Sequence, residues 1–248
     1  MLEEAPPVII LLRKRDLLFS ALFCCFFLGL AAVLWRGNVV PVFNAREETP
    51  IVTVVIDPGH GGEDGGAVSP GGVAESQINL AVSQRINDIL RFAGRRTLLT
   101  RSEDVTISDE GLDTIRQRKT SDLKNRVRIV EETENAILLS IHQNSLPSSP
   151  VTHGAQVFWN RQEGAEALAG QIQAALNAGI NAGNEKNPRR IPDSIYLMKN
   201  ITAAGVLVEC GFLSNAAETE WLQDPAYQLR LAAAIAAGYL NAGAVENP

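Results

Sequence analysis

The distribution of apolar residues divides the chain into two unlike parts. Residues 17–35 (LLFSALFCCFFLGLAAVLW) are apolar but for one serine, a run close to the ~20 residues that cross a bilayer as a helix. A buried helix of a soluble domain keeps a polar stripe over five turns, and this run has none. Arg13, Lys14 and Arg15 stand just before it. The positive-inside rule keeps such a cluster in the cytoplasm, so the chain beyond the run is exported. The run outlasts the ~7–15 apolar residues of a signal-peptide core and no A-x-A site comes after it, which favours an uncleaved signal anchor over a removed signal. The organisation expected is a cytoplasmic N-terminus over residues 1–16, a transmembrane anchor over 17–35, a linker over 36–50 and one domain over 51–243. The linker (RGNVVPVFNAREETP) has two prolines and no periodicity.

From residue 51 the apolar runs shorten and begin to alternate with amphipathic stretches. Residues 51–56 (IVTVVI) are continuously β-branched or apolar, as in a strand buried on both faces, and a glycine-rich loop follows over 58–72. The pattern then predicts a helix over about 75–92. Further strands are predicted at residues 97–99, 136–141, 155–159 and 206–208, and helices at about 116–132, 164–176 and 225–239. This alternation predicts an α/β fold in three layers, α/β/α: a mostly parallel sheet with helices on both faces. Residues 177–192 (NAGINAGNEKNPRRIP) are polar and rich in turn formers, which reads as a long loop near the site or as a surface connection. With 248 residues at 46% hydrophobic, the part beyond the anchor suits one domain and therefore one active site.

Charge and cysteine content narrow the chemistry. The net charge of -6 leaves no basic face for nucleic acid, so no nucleic-acid partner is expected. Cys24 and Cys25 lie in the apolar run and Cys210 stands alone, so the domain has no disulfide framework, and Cys210 reads as a small buried hydrophobe. Only three histidines occur. Two of them, His60 (TVVIDPGH) and His142 (AILLSIH), come just after buried-strand runs. In open α/β sheets ligands bind beyond the carboxyl ends of the strands, and two histidines delivered there can converge on one ion. A catalytic zinc site commonly adds a carboxylate and leaves a fourth position for water. Spacing alone does not choose among Asp57, Glu63, Asp64 and Glu75 for that carboxylate. Glu209 ends the apolar run GVLVE and reaches the same sheet edge, where it reads as a general base and later acid. His153 reads as a loop histidine, with contact to substrate or help in stabilising a transition state as the alternative. No G-x-S-x-G elbow is present, and Cys210 has no histidine to spare, so serine and cysteine mechanisms lack their parts.

Taken in order, VVIDPGHGGEDGGA, Glu75, LLSIHQN and VLVECGFLSN, joined by TRSED (residues 100–104) and DLKNR (residues 122–126), resemble the zinc-dependent N-acetylmuramoyl-L-alanine amidases of the type 3 family over about residues 52–240. The resemblance implies that His60, Glu75 and His142 hold zinc as cofactor and that Glu209 is catalytic, which raises Glu75 above Glu63 and Asp64. It implies about six strands, and cleavage between N-acetylmuramic acid and L-alanine of the stem peptide by a zinc-activated water. The implied substrate is a peptidoglycan glycan strand carrying its stem peptide.

GAQVFW, IYLMK and the absence of wall-binding repeats resemble the spore-cortex, germination-specific branch, in which stem peptides are trimmed so that muramic lactam can form. Asn144, Arg101 and Arg126 match family motifs. All three read first as scaffold hydrogen-bonders; Asn144, with His153, is also a candidate for touching substrate. Cys210 departs from the aliphatic or small residue usual after the catalytic glutamate. No long inserted helix of the autoinhibitory kind seen in the cell-division branch is evident, so access is constitutive or controlled by a protein activator. The expected location is the outer face of the bacterial cytoplasmic membrane, held through the N-terminal helix, or the spore envelope. Three rivals remain: a zinc peptidase cutting within the stem peptide, a non-catalytic wall-binding or assembly protein of the same fold, and a structural single-pass membrane protein whose soluble domain docks another protein.

Overall fold

A computed structural model describes residues 51–245 together with Phe23, Phe26 and Phe27. Apart from those three phenylalanines, the predicted anchor and linker lie outside the described residues. Among the described residues no helix is long and apolar enough to cross a membrane.

Six strands build one sheet: β1 (Thr53–Pro58), β2 (Arg96–Leu99), β3 (Ala136–Asn144), β4 (Gln156–Trp159), β5 (Arg189–Arg190) and β6 (Ala204–Phe212). Their order is β2-β1-β3-β6-β4-β5. All neighbours run parallel except β4 against β6, so the expected mostly parallel sheet is what the chain forms. The helices are α1 (Glu75–Phe92), α2 (Ile115–Glu131), α3 (Ala165–Gly179), α4 (Tyr196–Asn200), α5 (Ala216–Gln223) and α6 (Pro225–Val245).

Side chains of a strand alternate between faces, and here both faces are buried. Val54, Ile56, Leu139, Ile141, Val206 and Val208 point to one side, where they meet Val82 and Ile86 of α1, Ile172 and Leu176 of α3, and Leu231 and Ile235 of α6. Val55, Leu138 and Leu207 point to the other, against Val130 of α2 and Leu197 and Met198 of α4. Each large apolar side chain so buried contributes roughly 1.5–3 kcal/mol, which explains why the central strands read as unbroken apolar runs. The expected helix at 75–92 forms over those same residues. The turn-rich stretch 177–192 is a connection, but it also carries the two-residue edge strand β5, and the helices α4 and α5 come after it.

α3 and α6 approach so closely at Gly238 that an added Cβ would lie 2.4 Å from the Ile172 Cα and 2.9 Å from the Gln171 carbonyl oxygen. Alanine is the better helix former by about 1 kcal/mol, yet a clash with backbone cannot be relieved by turning a side chain, and overpacking costs typically ~1–3 kcal/mol. Gly238→Ala is therefore expected to lower the melting temperature by several degrees, as followed by circular dichroism; an unchanged or raised value would show that the two helices can separate without loss.

Candidate active site

The site is assembled where three strands end. His60 follows β1 by two residues, His142 lies near the end of β3, and Glu209 is its register partner on the adjacent parallel strand β6. Glu75 opens α1, which leaves the glycine-rich loop, and its backbone N–H donates to the Ala67 carbonyl. Glycine is required in that loop for space. A Cβ on Gly59 would sit 2.2 Å from the His142 ring, and one on Gly66 would sit 2.5 Å from Glu75 Oε2 and 2.7 Å from His60 Cδ2. His60 itself adopts a left-handed backbone (φ 61°), a conformation uncommon outside glycine that the surrounding bonds must hold in place.

Among the described residues, one group of three His, Cys, Asp or Glu side chains can bring ligand atoms within 4.8 Å of one another: His60, Glu75 and His142. His60 Nε2 and His142 Nδ1 both face Glu75 Oε1, at 3.5 and 2.9 Å. Two imidazoles and one carboxylate around a shared point are a donor set suited to a divalent metal. The other carboxylates that spacing left open are engaged elsewhere. Asp57 is buried against Arg126, Thr100 and Ser140. Glu63 forms a two-pronged pair with Arg118. Asp64 meets the far side of the His60 ring, with Oδ2 3.0 Å from Nδ1.

The two glutamates of the site live in opposite environments. Burial alone would raise the Glu75 carboxyl, but His142 and His60 beside it and the Ala67 N–H bring it down to about 2. Its Oε1 also accepts from the Gln143 backbone N–H at 3.0 Å and from Asn79 Nδ2 at 3.2 Å. Glu209 is half-buried, and its Oε2 atom is buried without a hydrogen-bond partner. Burial pushes its carboxyl up to about 7; His142 and His60 oppose the rise and the Glu75 charge adds to it. For His142, burial lowers the proton affinity of the ring and Glu75 more than restores it, so its pKa is raised. A carboxyl poised near neutrality with a free oxygen can take and return a proton at the pH where the protein works. Cys210 is fully buried, and burial pushes its thiol up, which suits packing rather than nucleophilic chemistry.

A cleft of about 420 Å³ opens over these groups. Lys119 and Leu123 of α2 form one wall, and Ile195, Tyr196 and Met198 form the other. No sequence signal singles out any of these five as part of a site; IYLMK serves there only as a branch marker. Asn144 and His153 are not among the cleft-lining side chains. Asn144 Oδ1 accepts from the Ser145 N–H, and His153 is an exposed residue whose ring lies against the Val151 carbonyl. Asn79 also escapes a reading of the sequence, although its place four residues after Glu75 puts both on one helix face.

A three-layer α/β/α fold that gathers a donor set able to hold a metal ion and a carboxyl with a raised pKa at its strand ends suits a hydrolase. The chain belongs to the N-acetylmuramoyl-L-alanine amidase family, whose model matches residues 54–241. It is similar to the germination-specific N-acetylmuramoyl-L-alanine amidase of Bacillus subtilis strain 168, with 36% identity over 188 residues, covering 76% of this chain and 78% of that protein. It is also 31% identical to the amidase LytC of the same organism, over 78% of this chain but 36% of that longer protein. Among solved structures, the CwlD amidase of Clostridioides difficile, in complex with the GerS lipoprotein, shares 33% identity at a TM-score of 0.75 over 78% of this chain and 99% of its own. AmiC2 of Nostoc punctiforme shares 30% at a TM-score of 0.63, over 77% and 96%. The protein is therefore an enzyme of peptidoglycan, hydrolysing the amide between N-acetylmuramic acid and L-alanine.

The raised Glu209 carboxyl carries a stability signature. An acid whose folded pKa lies above its unfolded value of 4.5 costs nothing while protonated, below about pH 4.5, and destabilises the fold progressively as pH rises towards about 7. In metal-free protein, Glu209→Gln is expected to be more stable than wild type at pH 8 by roughly 1–3 kcal/mol, with the gap closing near pH 4. Denaturant unfolding at the two pH values measures this, and a pH-independent difference would refute the buried-acid account.

Proposed function

We propose that the enzyme is a zinc amidase in which His60, Glu75 and His142 hold the ion and Glu209 handles the proton, exported and anchored by residues 17–35, and working in spore-cortex maturation. The observation that carries the mechanism is the convergence of His60 Nε2 and His142 Nδ1 on Glu75 Oε1 beside a carboxyl with an unpartnered oxygen. When bound there, zinc would supply Lewis acidity, lowering the pKa of a water towards ~7 and polarising the scissile carbonyl.

The chain's own groups do the rest. Glu75 stays ionised and keeps its charge at the centre of the donor set. Glu209 accepts a proton from the attacking water and returns it to the departing L-alanine amine, so that one carboxyl serves as base and then acid. The apolar wall of Ile195, Tyr196 and Met198 keeps bulk water from one side of the cleft, and the Lys119 and Leu123 wall flanks the other.

The cortex role is supported by the 36% identical germination-specific relative and by the fold match to CwlD. That CwlD was solved in complex with a lipoprotein supports a protein partner for this chain, and we read that partner as an activator. The anchor reading rests on the apolar run and the Arg13–Lys14–Arg15 cluster before it.

Two outcomes test the reading. Residues 50–248 incubated with purified peptidoglycan and zinc should release stem peptides beginning at L-alanine, detected by mass spectrometry and lost with a chelator; fragments cut within the stem would transfer the activity to a peptidase. Glu209→Gln should abolish turnover, a loss of at least ~10²-fold, while zinc content measured by atomic absorption stays near one per chain. His142→Ala should lose both, and wild-type turnover in Glu209→Gln would end the proposed proton role. For the cortex assignment, spores lacking the gene are expected to show cortex without muramic lactam.

A further inference from the structure

Resting on the metal-site reading, we propose that Asp64 is a positioning residue that fixes which ring nitrogen of His60 is free to bind the ion, and that Lys119 sets the polarity of that device. The His60 ring is held between two carboxylates. Nδ1 stands 3.0 Å from Asp64 Oδ2, inside hydrogen-bond range, whereas Nε2 stands 3.5 Å from Glu75 Oε1, outside it. A neutral imidazole carries one N–H. The distances therefore place the proton on Nδ1, donated to Asp64, and leave a lone pair on Nε2 facing an oxygen that also meets His142 Nδ1 at 2.9 Å and accepts from Asn79 and Gln143. Two electron-rich atoms facing each other in this way are an arrangement that a cation relieves.

Asp64 is itself fixed on every side. Its backbone forms a two-way bridge with Gly61, N–H to carbonyl at 2.8 and 3.1 Å. Its Oδ1 takes Lys119 Nζ at 2.8 Å, leaving Oδ2 for the ring. A carboxylate can only accept, so it demands a donor from His60 whichever oxygen it offers. An amide in its place would have a choice, and Lys119 removes that choice: an ammonium group draws the amide oxygen, which turns the NH₂ towards His60 Nδ1. That nitrogen must then accept, and the proton moves to Nε2, the one needed for the metal. A histidine's outer hydrogen-bond partner sets its tautomer in this way at metal sites generally, and its loss typically costs about 10–100-fold in affinity.

The test is long-range ¹H–¹⁵N correlation spectroscopy at pH 8 on the full metal-free chain in detergent, labelled with ¹⁵N at histidine. Only three histidines contribute, and His153→Gln removes one for assignment. Wild type is expected to show the Nδ1–H form of His60, Asp64→Asn the Nε2–H form, and the Asp64→Asn, Lys119→Met pair a mixture. Zinc affinity, by competition with a chromophoric chelator, should fall about 10–100-fold in Asp64→Asn and recover in part in the pair. A merely structural role would lower thermal stability without moving the tautomer. An Nε2–H signal for His60 in wild type, which decides the matter even if Asp64→Asn does not fold, overturns the proposal, as does a tautomer swap that leaves zinc affinity unchanged. Wild-type protein that binds no zinc yet shows the Nδ1–H form would instead strike the metal-site reading and leave the Asp64 assignment standing.

Discussion

The glycine-rich loop can hold its histidine only because two buried guanidinium groups occupy the carbonyls that the loop turns inward. Where β1 ends, Pro58, Gly59 and His60 leave the sheet, and a buried carbonyl without a partner costs about as much as a lost hydrogen bond. Arg126 donates to the Pro58 and His60 carbonyls at 2.9 and 2.8 Å, and Arg101 to those of Pro58 and Gly59 at 3.0 and 3.1 Å. The left-handed turn at His60 is thus tied down on the carbonyl side by an arginine from a helix far along the chain. Arg126 in turn is neutralised by Asp57 at 2.5 Å and Asp122 at 2.6 Å, and Asp57 is completed by Thr100 and Ser140. Burial would raise Asp57, but Arg126 and the hydroxyls keep it below the usual carboxylate range. Removing one member of a buried, hydrogen-bonded pair costs about 3–5 kcal/mol, a large share of the ~5–15 kcal/mol that holds a domain together. This network ties β1, β3 and α2 to the segment that leaves β2, so the site's floor and the fold's centre are one structure.

On that floor the same residue type is made to play two parts. Glu75 has the His142 and His60 rings beside it and accepts from the Ala67 N–H, and these hold it ionised even though it is buried; Asn79 and the Gln143 backbone N–H add further hydrogen bonds. Glu209 arrives on a strand flanked by apolar neighbours, and nothing donates to its Oε2. Environments that push two carboxyls apart assign acid–base roles without any change in side-chain chemistry. Register enforces their placement: because His142 and Glu209 are partners on parallel strands, their side chains emerge on the same face of the sheet.

Much of this was legible from the chain. Unbroken apolar runs marked the central strands because both sheet faces are covered, and the two histidines betrayed the site because each followed such a run. The choice of Glu75 over Asp57, Glu63 and Asp64 was not legible from spacing. All four lie within 15 residues of His60, and only the folded loop, whose Gly59 and Gly66 leave no room for a Cβ beside His142 and Glu75, sends one inward and the others to Arg126, Arg118 and the far side of the ring. The cleft walls escaped for a related reason. Tyr196 and Ile195 belong to a five-residue helix and the turn before it, too short to leave a periodic signature, and Lys119 sits on a helix whose polar face looks like any solvated surface. The two-residue strand β5 carries no apolar residue at all, so no pattern could announce it.

The electrostatics of the site also connect loading to chemistry. With the donor set as it stands, burial pushes the Glu209 carboxyl up to about 7, which favours the protonated form relative to an ordinary glutamate. Positive charge placed beside it favours the ionised form, as any opposite charge within a few ångströms does. In the proposed mechanism, a cation held by His60, Glu75 and His142 would therefore favour the ionised form of Glu209, the form a general base needs. By reciprocity, each proton that Glu209 holds weakens binding at that set. The burial that leaves Oε2 unpartnered is what the proposed proton role rests on, because a carboxylate held by several donors stays ionised and, on that proposal, would hold a proton too weakly to pass it to the leaving amine.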